Sequence, residues 1–543
     1  MRSLFAVVAL LLLAVPAAAH ASAREETTFQ DDDLLVFGSA ATQARTLDTI
    51  RALGADRVRV SVFWNAIAPD AKSKTRPGFD ATDPAAYPPG NWARYDRLVR
   101  LAAARGLGLN FDLTGPAPLW ATGKPERADI EATYAPSAAE FGAFVTAVSR
   151  RYSGDYTPPA PPAPAPAPDD GGGVVIPPPP VARAAQAPSD SGPLPRADYW
   201  AIWNEPNHPG WLTPQWTQDG GRWSEAAPRV YRGLADAAWG ALQGTGHGQD
   251  TILVGETAPK GLVTRRGTTR GIDPLRFIRA LYCVDRALRP LRGAAATALG
   301  CPADAAGQAS FAADHPVLFD AGGWAHHPYE LTFSPHRAPL HRDWVTIANL
   351  PQLTATLSGA LRRYGRPRPG GLPLYLTEFG YQTNPPDRFG VSWAQQAAYL
   401  DESEFLTYVN PMVRTLGQFL LRDDGGDIGL TFQSGLMTQG GARKPSYDAF
   451  ELPVYLPRTT FARGRSLRVW GMARCAPNNS AQDVAVEFRS PRSARWRALA
   501  ALHADGAYGY VDGHVRFPGA GVMRLRWGDH TSRAVSVRRT PRR

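Results

Sequence analysis

The sequence predicts a (β/α)8 barrel of the α/β class, followed by an all-β sandwich module. Three observations carry this prediction. Between residue 34 and about residue 450, hydrophobic runs of strand length alternate with amphipathic stretches of helical period, several of them closed by glycine. Two of those runs, each rich in aromatics, stop abruptly at a glutamate. After about residue 456 the helical period disappears and only short alternating runs between turns remain.

The elements follow in order. Leu34-Leu35-Val36-Phe37-Gly38 reads as the first strand, and Leu47, Ile50 and Leu53 line one face of a helix stopped by Gly54. The alternating run from Arg57 to Trp64 is the second strand. A helix from about Trp92 to Arg105 follows, with Tyr95, Leu98, Val99 and Ala102 on one stripe. Leu107 to Leu113 is the third strand. Ser137 with Glu140 reads as a capping box opening a helix that buries Phe141, Phe144, Val145 and Val148. The fourth strand runs through Tyr199-Trp200-Ala201-Ile202-Trp203, ahead of a helix at about Val230 to Leu242. Thr251 to Glu256 is the fifth strand, and a sixth falls within Phe319 to Tyr329. Leu350, Leu353, Leu357 and Leu361 mark the next helix, Pro373 to Glu378 the seventh strand, Trp393 to Tyr408 a helix and Leu416 to Leu421 the eighth strand. A short helix from Lys444 to Phe450 closes the ring. A doubly wound open sheet is the competing fold, but it needs fewer strands and no dinucleotide fingerprint is present.

The domain limits expected are 1–23, 24–456 and 457–543. The first is a secretory signal: Arg2 is its charged start, Leu4 to Val15 its apolar stretch and Ala21-Ser22-Ala23 its cleavage site. Its apolar part is short for a membrane span, and no later stretch is long and apolar enough, so no integral membrane segment and an extracellular location are expected. Residues 157–196 interrupt the barrel with 14 of the chain's 50 prolines and an Asp-Asp-Gly-Gly-Gly stretch. Such a segment cannot build a packed core. It leaves a helix and enters the fourth strand, so it sits on the barrel's amino-terminal face and reads as an insertion or tether.

Only three cysteines occur. Cys283 and Cys301 lie close together in a loop-rich stretch and can form a disulfide in an oxidising compartment, leaving Cys475 as a buried thiol. No Cys/His cluster has zinc spacing and no phosphate loop is present, so neither a metal nor an organic cofactor is expected. The formal charge of +10 and pI of about 9.6 suit an anionic polymer or cell surface, against the plainer reading of arginines spread over the surface without a ligand role. No nucleic-acid motif is evident, and the oligomeric state is left open.

The chemistry rests on two strand ends. Trp203-Asn204-Glu205-Pro206-Asn207 ends the fourth strand, where Pro206 removes a backbone donor, and Leu376-Thr377-Glu378-Phe379-Gly380 ends the seventh. Barrel enzymes place their chemistry at the carboxyl ends of strands. Strands four and seven face each other across the mouth, and two opposed carboxylates suit cleavage of a glycosidic bond.

Together these two motifs resemble the signature of the clan A retaining glycoside hydrolases, the cellulase-like and xylosidase-like families, over roughly residues 34–450. The resemblance implies Glu205 as acid/base, Glu378 as nucleophile and Asn204 as the group holding the substrate 2-hydroxyl. Arg59 matches the arginine that the clan often carries on strand two near the nucleophile; its plainer reading is a surface salt bridge. His327-Pro328-Tyr329 matches a His-x-Tyr on strand six, with Tyr329 bonding the nucleophile and His327 meeting substrate or Glu205. His326 points away, and Glu256, which ends the fifth strand without a motif, supports the site or touches substrate. Two positions depart from the clan: Asn110-Phe111-Asp112 lacks a histidine, and Gly417-Gln418-Phe419 stands where many members have tryptophan.

Trp64, Trp120, Trp211, Trp216, Trp324 and Tyr381 lie near strand ends, and sugars stack on aromatic rings. Each is more simply a core residue, with Trp120 and Trp211, in Pro/Gly-rich loops, the preferred subsites. The expected function is a secreted glycosidase acting on a poly- or oligosaccharide, with an anionic one among the candidates, by double displacement. A glycan- or envelope-binding protein without catalysis, and a transglycosylase using the same residues, are the alternatives. The module either binds carbohydrate or only packs on the barrel.

Overall fold

The computed structural model describes residues 25–159, 192–262, 266–428, 431–477, 480–504 and 506–540. Eight parallel strands close a barrel in chain order: β1 (Glu26–Gln30), β2 (Arg57–Phe63), β3 (Gly108–Thr114), β4 (Tyr199–Ile202), β5 (Thr251–Thr257), β6 (Gly323–His326), β7 (Leu374–Phe379) and β8 (Val413–Phe419). β8 returns to β1 in parallel register, with Phe29 opposite Gln418. The main helices are α1 (Ala40–Ala52), α2 (Pro89–Ala103), α3 (Ala138–Arg151), α4 (Ala227–Gly244), α5 (Pro274–Leu281), α6 (Leu350–Arg363), α7 (Trp393–Tyr408) and α8 (Pro445–Glu451), one after each strand.

The first strand is not where the hydrophobic run placed it. Asp31 accepts the Leu34 N–H at 3.1 Å and caps a helical turn, Asp32–Leu35, so the Leu34–Phe37 run leaves the barrel instead of forming it. The true β1 reads Glu-Thr-Thr-Phe-Gln because its inner residues are polar. Phe29 packs outward on Phe450 of α8, while Gln30 faces inward and accepts from Arg59. The sixth strand is shorter than the stretch expected to hold it, because Pro316–Asp320 is helical and puts Phe319 outside the strand. β8 begins at Val413, three residues earlier than expected.

Alternation sorts β2. Val58, Val60 and Val62 pack outward under the helices, and Arg57, Arg59 and Ser61 line the interior. Ser137 caps α3 through the Glu140 N–H, but the reciprocal half of a capping box is not among the described bonds.

The signal stretch 1–23 lies outside the described residues, as does most of the proline-rich stretch. The two described ends of the latter meet on the amino-terminal side, where Leu194 N–H donates to the Tyr156 carbonyl at 2.8 Å and Ala197 N–H to Tyr152 at 3.0 Å. Cys283 and Cys301 form a disulfide with Cα atoms 5.6 Å apart. Cys475 is half-buried, and burial raises its thiol pKa to about 11.

A second hydrophobic core runs from Leu452 to Val537. Its strands are β9 (Ser466–Met472), β10 (Gln482–Arg489), β11 (Arg497–Ala504), β12 (Tyr510–Arg516), β13 (Gly521–Trp527) and β14 (Val535–Arg539), in two sheets extended by short pairings. The sandwich docks on the barrel through Arg474. Its Nε donates to the Phe450 carbonyl at 2.8 Å, it bonds Thr27 at the start of β1, and it pairs with Glu404 of α7 at 2.7 Å. Gly54 makes this approach possible: with φ +80°, it would place a Cβ 2.2 Å from the Arg474 carbonyl. Thr27 and Gly54 both belong to the barrel's amino-terminal side, so the module sits away from the mouth.

Candidate active site

At the carboxyl ends of the strands the interior becomes ionic. Arg59, buried on β2, is the hub. Its Nη1 bonds Gln30 and donates to Glu378 Oε1 at 2.8 Å; its Nη2 donates to Asn204 Oδ1 at 2.9 Å and Glu256 Oε2 at 3.0 Å, and lies 3.1 Å from Asp112. The surface-bridge reading of Arg59 is thereby excluded. Burial alone would lower its pKa, but Glu256, Asp112 and Glu378 raise it further.

His327 is the second cation. Its Nδ1 lies 2.9 Å from Glu205 Oε1 and its Nε2 2.7 Å from Glu256 Oε2, with Glu378 at 3.5 Å. Burial opposes its charge, and Glu378, Glu205 and Glu256 override that, raising its pKa to about 10. His326 is its opposite. It bonds Thr257 Oγ1 and the Val345 carbonyl, and burial holds its pKa down to about 3, a neutral structural ring.

Backbone geometry aims the carboxylates. Trp203, Glu205 and Glu256 all have positive φ, at 64°, 38° and 44°. Such conformations are uncommon outside glycine and cost on the order of 1–3 kcal/mol each, persisting where surrounding bonds hold them. Here the Glu205 N–H donates to the Glu256 carbonyl at 2.9 Å and the Asn204 N–H to Thr114 Oγ1 at 3.0 Å.

Exposure separates the carboxylates. The side chain of Glu205 is 16% exposed and that of Glu378 10%, whereas Glu256 and Asp112 are fully enclosed. Oxygens of Glu205 and Glu378 lie within 4.8 Å of each other. Glu378 Oε2 also accepts the Tyr329 hydroxyl at 3.1 Å. Thr377 holds Glu256 from a third side, donating at 2.7 Å.

Four carboxyls thus face two cations. Burial pushes the Asp112 carboxyl well above the usual carboxylate range, against the pull of Arg59. Burial raises Glu378, opposed by His327 and Arg59 and reinforced by Glu205 and Glu256. Burial also acts to raise Glu205, but the hydrogen bond and charge of His327 hold it below its ordinary value. The free site therefore keeps a proton on His327 Nδ1, one hydrogen bond from Glu205. Transfer across that bond gives a neutral acid and a neutral imidazole without changing the site's total charge.

Glu205, His327 and Glu378 have the donor types of a metal site. Both ring nitrogens of His327 are engaged by carboxylates, at 2.9 and 2.7 Å, an arrangement that suits ion pairing.

The structure brings together Arg59, Asn204, Glu205, His327, Tyr329 and Glu378. It does not bring Trp120 or Trp211 into their bonded network. Trp120 is half-buried, packs edge-on to Trp64 and Phe79 and donates to the Pro69 carbonyl; Trp211 is half-buried, and its carbonyl accepts from Trp203. Trp64, Trp216, Trp324 and Tyr381 are core residues. Two aromatics lie beside the site: Phe379, with its ring 6.3 Å from Tyr329, and Phe419, with its ring 6.4 Å from Tyr329 and 5.2 Å from the exposed Phe432. The position of Phe419 at the end of the eighth strand was the available signal. Asp112 had none, since it stands mid-strand between hydrophobic residues.

No protein family matches the chain, and no curated protein does. Solved structures do. A family 39 glycoside hydrolase from the gut symbiont Bacteroides cellulosilyticus WH2 is 13% identical, over 91% of this chain and 82% of that one, with a TM-score of 0.45. A monomeric β-xylosidase from Caulobacter crescentus CB15 is 14% identical, over 90% and 94%, with a TM-score of 0.43. An FMN-binding β-glucuronidase from Facaelibacterium prausnitzii L2-6 is 10% identical, over 97% of this chain but 57% of that one, with a TM-score of 0.39.

Proposed function

We propose that the chain hydrolyses O-glycosidic bonds of an oligo- or polysaccharide by double displacement. One observation carries the reading: two partly open glutamates at the barrel mouth with oxygens within 4.8 Å. Retaining glycosidases hold their carboxyl groups about 5–5.5 Å apart, and inverting ones about 6.5–9.5 Å, to admit a water. The near approach favours retention.

In the first step Glu378 attacks the anomeric carbon. The Arg59 and Tyr329 donors orient it, one on each oxygen. Glu205 protonates the leaving oxygen with the proton shared with His327. Bond formation removes the negative charge of Glu378. Glu205 then loses a like-charged neighbour, its pKa falls, and it serves as the base that activates water. Water attacks the glycosyl-enzyme, Glu378 leaves as carboxylate, and the proton returns to the Glu205–His327 pair. Asn204 Nδ2 makes no hydrogen bond to a described residue and is left to hold a sugar hydroxyl.

Export is part of the proposal. It rests on the signal-like start, and the Cys283–Cys301 disulfide supports an oxidising compartment. The test is digestion of a glycan panel by the wild type and by Glu378→Gln, with product analysis. Hydrolysis by the wild type alone is expected; binding without cleavage across the panel would favour a non-catalytic glycan binder.

A further inference from the structure

The chain's positive charge is concentrated in one place. Residues 457–543 hold seventeen arginines, no lysine and five acidic residues, a formal +12, which leaves −2 of the total +10 for residues 1–456. Within the module five of the seventeen gather at the β10–β11 corner. β10 ends at Arg489, the turn carries Arg492 and Arg495, and β11 opens with Arg497. β13 lies beside β10, with Arg524 opposite Glu487.

Trp496 organises this corner. The guanidinium of Arg489 lies 4.9 Å from its ring centroid and that of Arg524 4.3 Å, so the indole holds two planar forks in place. Glu487 fixes Arg524 further, accepting from its Nε at 2.7 Å. Arg489, Arg492, Arg495 and Arg497 pair with no described carboxylate. Stacking occupies a guanidinium's face and leaves its N–H edges outward, the geometry that grips a carboxylate with two bonds.

We propose that this corner binds an acidic polysaccharide through its carboxylates. Docked on the barrel's amino-terminal side, the module anchors the protein to such a polymer while the mouth stays open. Two other polyanions fit less well. The ring of Trp496 is taken by guanidiniums, which removes a platform for stacking bases. The exposed large hydrophobic side chains all lie between Phe37 and Phe432, so the described module offers none to insert into a lipid surface. The proposal draws on the glycosidase reading only for the source of the polymer, and binding needs no turnover.

Affinity electrophoresis of the full chain in gels containing polygalacturonate, with pullulan as the neutral control, tests this. Retardation by polygalacturonate alone is expected, with affinity falling at least about tenfold in R489Q/R492Q/R495Q/R497Q and on raising NaCl from ~50 to ~500 mM. An unretarded wild type, an undiminished quadruple variant, or tighter binding to duplex DNA or phosphatidylglycerol vesicles would overturn the proposal. Thermal melting of the quadruple variant checks that it is folded, and because the salt series uses the wild type, a folding failure leaves a test in place. Glu378→Gln must keep full retardation. Retention without hydrolysis by any form rejects the catalytic reading alone, and hydrolysis without retention rejects the anchor alone.

Discussion

Glu205 and Glu256 are joined twice: through the backbone, where the Glu205 N–H donates to the Glu256 carbonyl at 2.9 Å, and through His327, whose two ring nitrogens bridge their carboxylates at 2.9 and 2.7 Å. Glu256 is enclosed and cannot meet a sugar, so it acts on the reaction through His327 and Arg59. Replacing it by Gln is expected to lower kcat roughly 10- to 100-fold, about 1.4–2.7 kcal/mol, with little change in KM. Glu256 raises the pKa of His327, so its loss lowers that pKa and moves the alkaline limb of the pH–rate profile downward. A merely structural role would leave the limb in place.

His327 also ties stability to pH. Its folded pKa, about 10, lies above its ordinary value of 6.5. Its protonation therefore stabilises the fold fully below about pH 6.5 and progressively less as pH rises through about 10. Thermal melting of wild type and His327→Gln should differ most at pH 6 and converge toward pH 10. A gap that widened with pH would refute the ion-pair arrangement.

For Glu205→Gln, hydrolysis of natural linkages should fall about 10²–10⁴-fold, the usual worth of general acid–base catalysis. Aryl glycosides with good leaving groups should suffer less, and azide should restore turnover as the glycosyl azide. Equal losses on both substrate types, with no azide product, would remove Glu205 from the acid/base role.

The Cys283–Cys301 bridge closes a chain separation of 18 residues. Replacing both by serine should cost about 3 kcal/mol, read as a lower melting temperature, with a similar fall in reducing buffer. Cys475, with its thiol pKa raised to about 11, should stay unmodified by a thiol reagent at pH 7 until the protein unfolds.

What the sequence disclosed depended on where polarity falls in a parallel barrel. Glu205 and Glu378 were legible because each ends a hydrophobic strand. Arg59, His327 and Tyr329 were legible only through resemblance, since an inward arginine on β2 looks like any alternating polar residue. β1 was misplaced because an inner face bearing Gln30 makes a true strand less hydrophobic than the Leu34–Phe37 run beside it. Asp112 stayed hidden because its partner, Arg59, is 53 positions away. The tryptophans are less legible, because aromatic loop residues near strand ends also fill the space between strands and helices, as Trp120 does against Trp64.

The central claim is that Glu378 carries the sugar between two displacements. The most direct measurement is peptide mass analysis after incubation with 2-deoxy-2-fluoro glycosides bearing a good leaving group, using the sugar identified by the glycan panel. Double displacement predicts one glycosyl adduct per chain, on the peptide containing Glu378, formed as activity is lost and reversed by a sugar acceptor. A label on any other residue, or a product of inverted anomeric configuration with no adduct, would contradict it.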